Sequence, residues 1–250
     1  VLTGPTLLAS EETGEPLLAY LPDFGAHTDL LPLTPILGRI AWVKGGRTSG
    51  MLHTSRTFGS LPRVAIRQDY CHQATLFHED PAADRVVRSY AAPLARVYQA
   101  LNPTLYAHHE ALTAERVRPG WRMHPAAPFT TGIINRSNPL HYHRDQGNYK
   151  GVWSAMIVVR SGATGGLLSL PEFGLALEVA HGSLCLFDGA DLIHGVTPIH
   201  APPGHAPLQH RLLLHEWCLA LPRPGRGGRA HQAASDDARG APGAGLPGRR

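Results

Sequence analysis

HYHRDQGNYKGVWSAMIVVR, residues 141–160, joins a polar, histidine-bearing loop to a long apolar run. His143 and Asp145 stand two residues apart, directly ahead of Val152–Arg160. That run has the length and the Val/Ile content of a buried β-strand. An imidazole and a carboxylate delivered together at the edge of a strand suit a metal ion. HxD alone is a weak signal in a chain with sixteen histidines, so its surroundings carry the reading. His141 lies on the same side of an extended segment and rivals His143 as a ligand. HxD is the tighter chelate, which leaves His141 to line the pocket or to contact a bound cosubstrate.

Working outward, residues 129–220 break into strand-length runs between Gly, Pro, Asn and Asp: TTGIINR, VWSAMIVVR, GGLLSL, LALEVA, SLCLFDG and HRLLLHEWCLAL. Six to eight short strands in such a span predict a sandwich or jelly roll. Upstream, Val87, Tyr90, Leu94, Val97, Tyr98 and Leu101 recur at helical spacing. They predict one amphipathic helix from Pro81 that Asn102-Pro103 ends. A second is expected near Leu105–Val117, closed by Pro119-Gly120. Residues 1–83 read as irregular. From Leu221 the Gly/Pro/Arg/Ala-rich tail lacks the apolar residues to build a core and is expected to be disordered. The expected organisation is a mainly β domain with flanking helices over 1–220, with helical and irregular support in 1–128, a jelly-roll core in 129–220 and the tail 221–250.

Composition excludes some classes. With 250 residues and 43% hydrophobic content the chain can bury a substantial core, and 27 Gly with 22 Pro favour turns over a helical bundle. No run approaches the ~20 apolar residues of a membrane span. The opening VLTGPTLLASEETGEP has no basic signal-like region and no Met, so the numbering is expected to begin inside a longer chain. Cys71, Cys185 and Cys218 are odd in number and far apart, so no disulfide framework or zinc spacing is expected. The default compartment is the cytoplasm, of a bacterium or a phage-infected bacterium. Net charge is +4, but the last thirty residues hold six Arg against two Asp, leaving 17 basic and 17 acidic elsewhere. Overall pI is therefore a poor argument for nucleic-acid binding by the folded part.

Some fifty residues beyond HxD, FDGADLIHGVTP places His194 just after a predicted strand. Two histidines and one carboxylate leave the remaining positions of an octahedral ferrous ion open, as oxygen chemistry requires. Arg211 opens the run RLLLHEW, whose alternation puts Arg211, Leu213, His215 and Trp217 on one face. A buried arginine there needs an anion: a salt bridge to Glu178 or Glu216, or the far carboxylate of 2-oxoglutarate in a bidentate pair. His181, His200, His205 and His210 read as solvated loop residues.

The ordered set HxD, then His-Gly-Val-Thr, then a strand arginine resembles the Fe(II)/2-oxoglutarate dioxygenases, whose core is a double-stranded β-helix. Within them HRDQGN, VWSAMIVV, GGLLSLPEFG, FDG and HGVTP resemble the TET/JBP group over residues 129–217, more weakly upstream and not in the tail. The resemblance implies Fe(II) on His143, Asp145 and His194, 2-oxoglutarate on Arg211 with His141 nearby, and O2 as co-reactant. It implies oxidation of a pyrimidine 5-methyl group in nucleic acid, first 5-methylcytosine to 5-hydroxymethylcytosine in a flipped DNA base. Asn148 would touch the base edge and Trp217 its face, though Asn148 also reads as a turn former and Trp217 as core. Arg144, with Arg136 and Lys150, would meet the phosphate backbone. The chain departs from the group at Leu213 and Leu219, where polar contacts are expected, and lacks a cysteine-rich zinc region. Two other functions stay open: hydroxylation of a protein side chain or small molecule, and a non-catalytic jelly-roll binding module.

Overall fold

The computed structural model describes residues 1–46, 52–63, 70–201 and 208–220. The tail from Leu221 and His205 lie outside them. The N-terminal part builds strands β1 (Thr6–Ala9) and β2 (Pro16–Leu21), short helices α1 (Phe24–His27) and α2 (Leu33–Arg39), and strands β3 (Val43–Gly46), β4 (Leu52–Pro62) and β5 (Cys71–Gln73). Helices α3 (Thr75–Glu79), α4 (Pro81–Ser89), α5 (Ala91–Leu101) and α6 (Pro103–Arg116) follow. The rest is β: β6 (Thr131–Arg136), β7 (Leu140–His143), β8 (Ser154–Ser161), β9 (Thr164–Gly165), β10 (Leu168–Leu170), β11 (Leu175–Leu177), β12 (Leu184–Phe187), β13 (His194–Val196), β14 (Ile199–His200) and β15 (Leu208–His215). A 3-10 turn, Trp217–Ala220, closes the described chain.

The strands form a nine-stranded antiparallel sheet in the order β1-β2-β12-β8-β15-β6-β4-β3, with β5 on β4, and a four-stranded sheet β11-β10-β13-β7. A small β14-β9 pair stands apart. Strand alternation sorts the side chains between two cores. On β8, β12 and β15, Ala155, Ile157, Leu184, Leu186, Leu212 and Leu214 join the helix side of the large sheet. Met156, Val158, Cys185 and Phe187 join the core between the two sheets. Slipping β8 by one residue would exchange these sets, so its register is strongly specified. The result is the mainly β, two-sheet architecture expected, with helices flanking the large sheet.

Four expectations need correcting. The N-terminal region is not irregular: β2 pairs with β12 and the eleven-residue β4 pairs with β6, so it extends the large sheet on both sides. Its polar sequence hid β4, in which the buried Arg56 is neutralised by Glu79. The single helix from Pro81 is two, broken at Tyr90. Pro93 has no N–H for Ser89 and its ring crowds that carbonyl, which ends the ladder. Cys71 and Cys218, 147 residues apart, form a disulfide, a pairing that sequence distance concealed. His210 is buried on β15, stacked on Trp42 with centroids 5.2 Å apart, and is not solvated. No helix among the described residues is long and apolar enough to cross a membrane.

Candidate active site

The two sheets enclose one large cavity of about 450 Å³. Its small-sheet wall carries the HxD motif. β7 delivers His143, the turn after it delivers Asp145, and β13 begins at His194, directly opposite His143 in register. His194 thus follows β12 and its turn, as the sequence reading placed it, and opens the next strand. The Nε2 atoms of His143 and His194 lie 3.4 and 3.8 Å from the same oxygen, Oδ1 of Asp145. Ligand atoms of all three fall within 4.8 Å of one another and could hold a metal ion.

The imidazoles are set for that task. Nδ1 of His143 is 2.8 Å from the His141 carbonyl, and Nδ1 of His194 is 3.0 Å from the Leu192 carbonyl. A carbonyl only accepts, so each Nδ1 carries a proton, and each Nε2 faces the shared centre. Burial pulls His194 below the usual histidine range, which favours the neutral ligand form. Burial pushes the Asp145 carboxyl up, but the His143 hydrogen bond and the surrounding histidines outweigh it and hold the group down at about 2. The donor set of one carboxylate and two imidazoles fits a ferrous ion.

Asp145 is held by a frame of polar contacts. Its N–H donates to the Gly189 carbonyl at 2.8 Å. Asp188 accepts from Ala190 N and Asp191 N, shaping the turn before His194, and its other oxygen accepts from Gly151 N at 2.6 Å. Glu172 accepts from Arg144 and from Ile193 N, both at 3.0 Å. Gly189 permits the close approach, since a Cβ there would sit 2.4 Å from Asp145 Oδ2. That oxygen accepts from Asn148 Nδ2 at 3.1 Å, the same nitrogen donates to Ser154 Oγ at 3.0 Å, and Asn148 Oδ1 accepts from Trp217 Nε1 at 2.7 Å.

The large-sheet wall carries Arg211, Leu213 and His215 on β15, and Trp217 just past it. Trp217 opens the 3-10 turn, stacks on His215 at 5.7 Å with an interplanar angle of 9°, and still lines the cavity. His215 Nδ1 pairs with Ser154 Oγ at 3.2 Å. Arg211 is buried, and its Nη2 donates to the Gly166 carbonyl at 2.6 Å. Neither Glu178 nor Glu216 reaches it. Glu216 is buried on the far side, accepting from Tyr149 N at 2.9 Å, and among the described residues no carboxylate pairs with Arg211. Burial pulls this arginine down to about 10, so it stays charged at neutral pH and lacks an anion.

Of the eight residues singled out from sequence, all line this cavity. The exposed His141 does so at its rim, outside the metal-capable group. Arg144 is tied to Glu172 and to the Asp191 carbonyl, Lys150 to Asp191, and the Arg136 guanidinium lies over Trp42. Leu213 lines the cavity, whereas Leu219 is fully buried beside the disulfide. Sequence reasoning missed Asn135, Ser154, Glu172 and Asp188. Only Asp188, in the turn-forming FDG, left a local signal.

The sequence model of the Tet_JBP family, described as the oxygenase domain of the 2OGFeDO superfamily, matches residues 66–216. No curated protein matches the chain. Among solved structures, NgTET1 in complex with 5mC DNA is similar over 87% of this chain and 79% of its own, at 13% identity and a TM-score of 0.56. An oxidoreductase of the 2OG-Fe(II) oxygenase family from Burkholderia pseudomallei is similar over 80% and 85%, at 15% identity and a TM-score of 0.52. At those identities the structures speak for the jelly-roll fold, and the family match speaks for the chemistry. The chain belongs to the Tet_JBP family, and it is an Fe(II)/2-oxoglutarate oxygenase that uses O2.

Proposed function

We propose that this oxygenase oxidises the 5-methyl group of a pyrimidine in nucleic acid, with 5-methylcytosine in DNA as the first candidate and 5-hydroxymethylcytosine as product. The observation that carries the reading is one cavity, inside the family-matched segment, lined by His143, Asp145, His194, Arg211 and the flat indole of Trp217. A solved protein of similar fold holds 5mC DNA.

Bound Fe(II), with 2-oxoglutarate and O2, supplies the oxidising power. The chain supplies placement. His143, Asp145 and His194 would hold the metal. Arg211 would grip the distal carboxylate of 2-oxoglutarate, and His141 lines the same cavity. Met156, Leu168, Phe187, Val196 and Leu213 make the walls apolar and keep water out. A methyl group in a duplex cannot reach a centre between two sheets, so the base leaves the stack and Trp217 meets its face. Such stacking contributes about 1–3 kcal/mol per base. Arg144 and Lys150 flank the motif and steer phosphates from the rim.

One observation favours a second reading, hydroxylation of a protein side chain or small molecule. The Asn148 amide, expected at the base edge, is engaged by Asp145, Ser154 and Trp217. The experiment is incubation with methylated and unmethylated DNA oligonucleotides, Fe(II) and 2-oxoglutarate, then nucleoside mass spectrometry. 5-Hydroxymethylcytosine from the wild type and none from Asp145→Ala is the expected result. Succinate release with every base unchanged would overturn the nucleic-acid reading in favour of the second.

A further inference from the structure

The cationic end of the cavity holds more than Arg211. Ser55 on β4, Asn135 on β6 and Arg211 on β15 form one row across the large sheet, because Ser55 pairs with Asn135 and Asn135 pairs with Arg211 in register. Such direct neighbours lie about 5 Å apart at Cβ. All three line the cavity, and both Asn135 and Arg211 are only 5% exposed. The Arg211 Nε is buried without a partner.

The Asn135 amide is oriented by its neighbour. Asn138 accepts from Thr54 N at 3.1 Å and donates to Thr54 O at 3.0 Å, which fixes which end of its amide is nitrogen. That nitrogen is also 3.4 Å from Asn135 Oδ1. The Asn135 oxygen is thereby turned to Asn138, and its Nδ2 is left as a donor at the cavity wall with no protein partner among the described residues. A half-buried hydroxyl, that of Ser55, stands next in the row. Buried donors beside a buried guanidinium with no carboxylate describe an anion cradle wider than one residue.

We propose that Asn135 is a second anchor for the distal carboxylate of 2-oxoglutarate, donating through Nδ2 beside the Arg211 guanidinium, with Ser55 closing the row. This wall then selects a dicarboxylic keto acid over a monocarboxylic one. The inference rests on the reading of Arg211 as the carboxylate's partner.

The test is calorimetric titration of Mn(II)-loaded protein, which binds without turning over, with 2-oxoglutarate and with 2-oxopentanoate, the analogue that lacks the distal carboxylate. Asn135→Ser removes one hydrogen bond to a charged group and raises the 2-oxoglutarate Kd by about tenfold. Asn135→Asp keeps the shape, opposes like charges, and raises it on the order of a hundredfold. Both variants bind 2-oxopentanoate as the wild type does. Wild-type affinity for 2-oxoglutarate in both variants, or an equal loss for both ligands, overturns the proposal and leaves Arg211 in place. A wild type that binds the two keto acids equally overturns the reading of Arg211 and the proposal with it.

Discussion

The two walls of the cavity are built by different means. Arg211 and Asn135 stand on long central strands: β15 is hydrogen-bonded to β6 on one side and to β8 on the other. Those ladders fix the side chains before any ligand arrives. The metal-facing wall is thinner. β7 has four residues and, among the described residues, pairs only with β13 and ends its sheet, and its Tyr142 is 60% exposed. Asp145 lies beyond β7, in a turn held by Gly189, Asp188 and Asn148. The wall proposed to hold the cosubstrate is therefore set by sheet register alone, and the metal-capable wall by the β7–β13 register together with individual polar bonds around Asp145.

The largest effects separate the walls outright. Asp145→Ala removes the only carboxylate of the metal-capable group, and is expected to abolish both metal binding and turnover. Equilibrium dialysis with Mn(II) and a succinate assay check this. Arg211→Ala should leave Mn(II) affinity unchanged while raising the 2-oxoglutarate Kd by about 30-fold or more, the scale for truncating one partner of a buried charge pair. A variant of Arg211 that loses the metal as well would show that the walls are not independent.

A smaller change sharpens the contrast from the metal side. Asn148→Ala removes the donor to Asp145 Oδ2 and is expected to weaken Mn(II) binding by about tenfold, as loss of a partner behind a ligand does. Trp217→Phe keeps an aromatic side chain but removes the indole donor to Asn148 and part of the stacking surface on His215, so its effect on metal is smaller and in the same direction. If Asn148 served only to read a substrate, dialysis would return the wild-type metal affinity.

The same contrast sets how far the sequence could be read. The length and Val/Ile content of Val152–Arg160 and the alternation along RLLLHEW exposed the large-sheet wall, because both signals are written locally. His143, Asp145 and His194 were legible as residue types at a workable spacing. Their frame was not, since Glu172 and Asp188 act on residues some twenty to forty positions away. Asn135 looked like one more polar residue in TTGIINR until the register set it beside Arg211. The disulfide and the stacking of His210 on Trp42 failed for the same reason. Contacts of high sequence separation leave no periodic trace. Strands β3 and β4 were missed because polar and glycine residues interrupt their alternation.

The smallest expected effect concerns the joint between the walls. Glu216 follows the last residue of β15 and accepts from Tyr149 N, so it ties the large sheet to the loop that carries Asp145 and Asn148. Its second carboxylate oxygen is buried without a partner. Burial, with Asp188 and Asp145 adding repulsion against the backbone donor, raises its pKa well above the ordinary 4.5. The native state therefore holds this proton more tightly than the unfolded chain does. Stability from the group is complete below pH 4.5 and is lost as pH rises through the higher native value. Glu216→Gln copies the protonated form and keeps the acceptor for Tyr149 N. Its Tm should match the wild type near pH 4 and exceed it at pH 8, by about 2–4 °C for each kcal/mol of charge burial relieved. Thermal unfolding at the two pH values decides it. A difference of the same size at both would mean that Glu216 acts through packing alone, and that the joint carries no charge cost.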